Sequence, residues 1–108
     1  MLLVISPAKT LDYSNPEYSN HTQPDFPKEV KDLVGVLKKK SASQISKLMH
    51  LSDSLAVLNE ERYKTFSETF NPENSKQAVL AFKGEVYAKM EADHFSPEDL
   101  DFAQQHLR

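Results

Sequence analysis

Residues 41–63 read SASQISKLMHLSDSLAVLNEERY, and the folding of this stretch sets the pattern for the rest of the chain. Ser41, with Gln44 three positions on, has the form of a capping box that opens a helix. Ile45, Leu48 and Met49 then fall on one face, as a 3.6-residue period requires. Ser52 is a second N-cap, with Asp53 in the first turn where the helix dipole favours an acid. It predicts a helix from about 53 to 66 whose face is Leu55, Leu58, Arg62 and Phe66, flanked by Asn59 and Tyr63. The spacing Ile45-x-x-Leu48-Met49-His50-Leu51-Ser52-x-x-x-Ala56 is that of a helix-hairpin-helix element over residues 41–66. Its parts are an aliphatic pair, a tight turn with one inward aliphatic, and a small residue where the helices approach. Backbone N–H groups at the start of the second helix of such a hairpin can bind a DNA phosphate, without reading sequence and with steep salt dependence. The glycines usual in such turns would fall at His50 and Ser52, whose side chains could contact phosphate themselves. A plain antiparallel helix pair is the alternative that spacing leaves open.

Upstream, Val30, Leu33, Val34 and Leu37 form one apolar stripe and predict a helix from Lys28, with Lys38, Lys39 and Lys40 in its last turn. Pro16, Pro24 and Pro27 make residues 12–27 an extended loop. Leu2-Leu3-Val4-Ile5 reads as a short buried strand stopped by Ser6-Pro7. Downstream, Asn71-Pro72 ends the helical region, and Ala78–Phe82 is a continuous apolar run read as a second buried strand. Glu85–Glu91 looks helical, and Ser96-Pro97-Glu98-Asp99 is a helix start. The last pattern reaches Arg108 without a stop signal, so residues 1–108 are expected to be the N-terminal portion of one longer domain. The fold class is α+β, mainly helical.

Composition removes several function classes. The chain has no Cys, which excludes thiol chemistry, Cys-bound metal and disulfides within it. Its two glycines cannot build a P-loop or a dinucleotide fingerprint. No segment is long and apolar enough for a signal peptide or a membrane span, so the expected location is the cytoplasm, with no membrane partner. The net charge of −3 hides an asymmetry: residues 26–50 carry +4 and residues 84–105 carry −5. A local basic patch of Lys38, Lys39, Lys40 and Lys47 is therefore compatible with an acidic total, as are two solvated helix faces.

Ser6-Pro7-Ala8-Lys9 fits the Ser-x-x-Lys pattern of acylating serine enzymes, but Ser-Asp-Asn and Lys-Thr-Gly are missing. Lys9, just past a strand end, is placed to line a cleft or simply to meet solvent. As an amine nucleophile at an abasic sugar it would make the chain a lyase-type enzyme acting on DNA, which requires a desolvated lysine. His21, His50, His94 and His106 form no ligand pair at helical spacing, so neither a metal site nor a cofactor is expected. Arg62 can bind an anion or pair with a carboxylate or carbonyl.

Leu3-Val4-Ile5-Ser6-Pro7-Ala8-Lys9-Thr10-Leu11-Asp12-Tyr13, Asn59-x-x-Arg62-Tyr63, Ala78–Tyr87 and Asp101–Arg108 together resemble the bacterial YaaA peroxide-stress protein family. The resemblance implies a cytoplasmic protein that protects against hydrogen peroxide by limiting free intracellular iron. It also implies an α+β fold peculiar to the family and DNA binding through a helix-hairpin-helix and a basic cleft; a non-enzymatic role is the leading expectation, with the Lys9 lyase reading left open beside it. By position, Lys9 would line the cleft and residues 41–63 would form the hairpin. The expected DNA contacts are Lys9, Lys38, Lys39, Lys40, Lys47, His50, Ser52 and Arg62.

Overall fold

Capping residues set the helix boundaries in the computed structural model, which describes residues 1–14 and 20–108. The chain divides into two compact units, Thr22–Phe70 and Met1–His21 with Asn71–Arg108. Pro16, one of the prolines of the expected loop, lies outside the described residues.

The unit Thr22–Phe70 is helical. Helix α1 (Pro27–Leu37) begins with proline at its first position, where the missing N–H costs nothing. Val34 is its buried residue, with Val30 and Leu37 half-buried, whereas Leu33 is exposed. The helix stops at Leu37, one turn short of the sequence expectation. Lys39 and Lys40 donate their N–H groups to Val36 and Leu37 at 3.2 and 3.0 Å, the tighter i to i−3 pattern of a fraying end. Helix α2 (Ala42–Met49) carries the expected capping box, and α3 (Asp53–Thr65) is capped by the Ser52 side chain, which accepts from Leu55 N–H. The core between them is Ile45, Leu51 and Ala56, with Ala42, Met49, Leu55 and Tyr63 packed against it. Ile45 is fully buried. The buried side of α3 is rotated from the expected one: Ala56 and Asn59 are buried, while Leu58 is 44% exposed. Ala56 and Asn59 are small enough for close approach to α2, and a leucine in that seam would hold the helices apart.

The other unit mixes helix and sheet. Strand β1 (Thr10–Leu11) pairs antiparallel with β2 (Phe82–Lys83), Thr10 opposite Lys83 and Leu11 opposite Phe82. Helix α4 (Ala78–Ala81) occupies most of the run expected to be a strand, and only Phe82 is extended. A short apolar run has no period to separate the two states, and alanine at both ends favours the helical turn that buries Leu80 and Ala81. Helix α5 (Glu85–Met90), a 3-10 turn at Ala92–His94 and helix α6 (Pro97–His106) follow. Ser96 caps α6 in a reciprocal box with Asp99. Leu2–Ile5 is extended, but it makes a single parallel bridge, Leu3 to Leu107, and is not buried: Leu2 is 59% and Val4 77% exposed. The mainly helical α+β class therefore holds, with the strands displaced to Thr10–Leu11 and Phe82–Lys83.

Candidate nucleic-acid interface

The turn between α2 and α3 is built from His50, Leu51 and Ser52. His50 sits in the left-handed region at φ 52°, ψ 51°. Both His50 N–H and Leu51 N–H converge on the Ser46 carbonyl, the latter at 3.1 Å. This is a Schellman closure, and its usual apolar contact is made by Leu51 against Ile45. Ser46 Oγ returns a hydrogen bond to the Leu51 carbonyl at 2.8 Å, so one serine holds both sides of the turn. Ser52 then starts α3, a 13-residue helix with Asp53 in its first turn. A glycine is the common occupant of the left-handed position, and histidine is among the few other residues found there.

Seven of the eight expected contact residues lie in the unit Thr22–Phe70. Lys38, Lys39, Lys47, His50 and Ser52 are exposed, and Lys40 is half-buried. Lys38 Nζ donates to the Phe66 carbonyl at 3.2 Å, tying the end of α1 to the segment after α3. Lys31, Val34, Gly35, Lys38 and Lys39 line an open groove there with Phe66. Lys31 and Glu68 pair at 3.1 Å across it, both well exposed, an arrangement that stabilises little in water. Arg62 differs from the other cations: it is half-buried and its Nη1 atom is inaccessible to solvent, because α3 turns this position toward the interior. That placement sets Arg62 apart from the exposed lysines of the same unit.

Lys9 belongs to the other unit, immediately before β1. Its segment is held on two sides. Tyr87 Oη donates to the Ser6 carbonyl at 2.7 Å, with its ring tilted against Phe82 at 5.2 Å. Ala8 Cβ lies 3.7 Å from where a Cβ on Gly84 would stand. Ser6 and Lys9 are both exposed. Among the described residues, no three His, Cys, Asp or Glu side chains gather as a metal site would require.

Three further side chains, none of them among the expected DNA contacts, brace the helix pair. Ser46 closes the turn; Asn59 Nδ2 donates to the Leu55 carbonyl at 2.8 Å from a buried position; Tyr63 Oη donates to Met49 Sδ at 3.5 Å. The Asn59-x-x-Arg62-Tyr63 pattern carries two of these side chains. Ser46, five residues before Leu51, has no signal apart from the turn itself.

Fold and turn together define a mainly helical α+β chain that presents a tightly closed, lysine-flanked helix pair. The chain belongs to the YaaA family: the model described as Peroxide stress protein YaaA matches residues 1–108. A UPF0246 protein of Ralstonia nicotianae is 53% identical over 109 residues, covering 100% of this chain and 42% of the relative. UPF0246 proteins of Ralstonia pickettii and Aromatoleum aromaticum are 51% and 48% identical, each over all of this chain and 42% of the relative. The chain thus spans less than half the length of these curated relatives. No helix among its described residues is long and apolar enough to cross a membrane.

Proposed function

We propose that this chain supplies the DNA-contacting helix-hairpin-helix of a cytoplasmic peroxide-stress protein that limits free intracellular iron. One observation carries the reading: the left-handed His50 turn delivers the chain into the Ser52-capped start of α3, with exposed Lys47 on α2 and Lys38 and Lys39 in the same unit. A helix start is electropositive and presents unpaired N–H groups, which suits a backbone phosphate. The lysines add attraction without sequence preference. Lys40 adds positive charge within the same unit, and Lys9, in the other unit, is a separate contact in this reading. The pairing of iron limitation with DNA contact is chemically coherent, because ferrous iron and peroxide together generate the radicals that cleave DNA.

The test is fluorescence anisotropy of labelled duplexes across a salt series. The double variant Lys39→Glu, Lys47→Glu should keep its circular dichroism and bind all duplex sequences more weakly. Its slope of log K against log salt should be shallower by about one for each phosphate no longer neutralised. Unchanged affinity and slope in the folded variant would remove the lysines from the interface.

A further inference from the structure

We infer that residues 2–5 form the open edge of a larger sheet, and that its occupant is an extended, apolar segment from the part of the family's length that this chain does not span. The bonding pattern gives the direction. Leu3 N–H donates to the His106 carbonyl at 2.7 Å, Arg108 N–H donates to the Leu3 carbonyl at 2.8 Å, and Ile5 N–H donates to the Arg108 carbonyl at 2.8 Å. His106 Nδ1 also donates to the Met1 carbonyl at 2.7 Å. This is a short parallel ladder, and it uses the odd-numbered backbone groups. In an extended chain the groups of residues 2 and 4 point to the opposite edge. Among the described residues nothing pairs with Val4 there.

The side chains agree. Leu2 and Val4 share one face, Leu3 and Ile5 the other, and all four are apolar. Leu2, Leu3 and Val4 are 59%, 49% and 77% exposed. A strand apolar on both faces belongs inside a sheet covered on both sides, where parallel pairing almost exclusively occurs. Exposed edges are otherwise blunted by charge, proline or a bulge, and Leu2–Ile5 has none of these. A second copy of this chain could meet the edge but would leave the apolar faces open. The curated relatives hold more than half of their length outside the matched region, enough for both a strand and its covering elements.

Amide hydrogen exchange on two proteins tests this: the present chain and the full-length Ralstonia nicotianae relative. The amide aligned with Val4 should exchange at least about 100-fold more slowly in the relative than Val4 does here, as expected when a frayed edge becomes an inner strand. Proline at that position should lower the melting temperature of the relative, because it deletes a ladder donor. Val4→Pro should leave the circular dichroism and melting of the present chain unchanged. Equal exchange rates in the two proteins overturn the proposal. So does protection of Val4 in the present chain alone that grows with its concentration, which would give the edge to a second copy.

Discussion

His50 holds a backbone conformation that disfavours every side chain bearing a Cβ, and it does so at the centre of the candidate interface. His50→Gly should therefore stabilise the helix pair by about 0.5–1 kcal/mol, the relief of left-handed strain less the added freedom of the unfolded chain. The urea midpoint measures it, and anisotropy on the same variant reports whether a bare turn approaches phosphate more closely. Gly84 presents the opposite case. Its φ of 157° and ψ of 174° suit glycine, while the nearest atom to an added Cβ would be at an ordinary 3.7 Å. Gly84→Ala should cost about 1–3 kcal/mol through backbone strain alone, with no overpacking against Ala8. Both positions stand out in the sequence, one as a glycine and one as a missing glycine. Arg62 could not be placed in the same way. Its inward turn follows from Ala56 and Asn59 setting the seam, and the Leu55–Leu58–Arg62–Phe66 stripe gave no hint of that rotation.

Helix starts were the most legible elements, because a cap is a local device that needs no distant partner. Ser41 with Gln44, Ser52, and Ser96 all cap as their spacing predicts. The strands were less so, since extended segments owe their partners to remote parts of the chain. The α6 cap also makes a pH prediction. The Ser96 N–H, 2.9 Å from Asp99 Oδ2, holds the Asp99 carboxyl below its usual 3.8. A carboxyl whose folded value is lowered contributes above its unfolded value and loses that contribution as pH falls through the folded one. Residue-resolved helicity of α6 should accordingly decline on acidification below about pH 4, and Asp99→Asn should flatten that decline. In the helix pair, Ile45→Ala should cost about 2–5 kcal/mol, since it empties the one fully buried large side chain of that core. Loss of the helical signal of residues 42–65 at lower urea measures it.

At the scale of the whole chain, charge is partitioned by unit. Thr22–Phe70 holds eight lysines and arginines against seven acids, whereas the other unit holds five against nine. DNA affinity should follow that partition. Lys89→Glu, on α5, should leave anisotropy titrations unchanged under conditions where the Lys39, Lys47 double variant binds more weakly; an equal weakening would mean that net charge, not a patch, drives binding. The charge asymmetry was visible in the sequence, but the division into units was not, because the chain leaves one unit at His21 and returns to it at Asn71. That return has a consequence for the newborn chain. On the ribosome, every contact of Thr22–Phe70 becomes available once residue 70 has emerged, and most of those contacts are close in sequence. Leu3 meets Leu107, and Ser6 meets Tyr87, only after nearly the whole of these 108 residues has been made. Short-range pairings tend to form before long-range ones, so the helix pair is expected to fold first. Leu2–Ile5 meanwhile waits for its pairing with residues 106–108, an extended apolar stretch left open until the last of these residues is made.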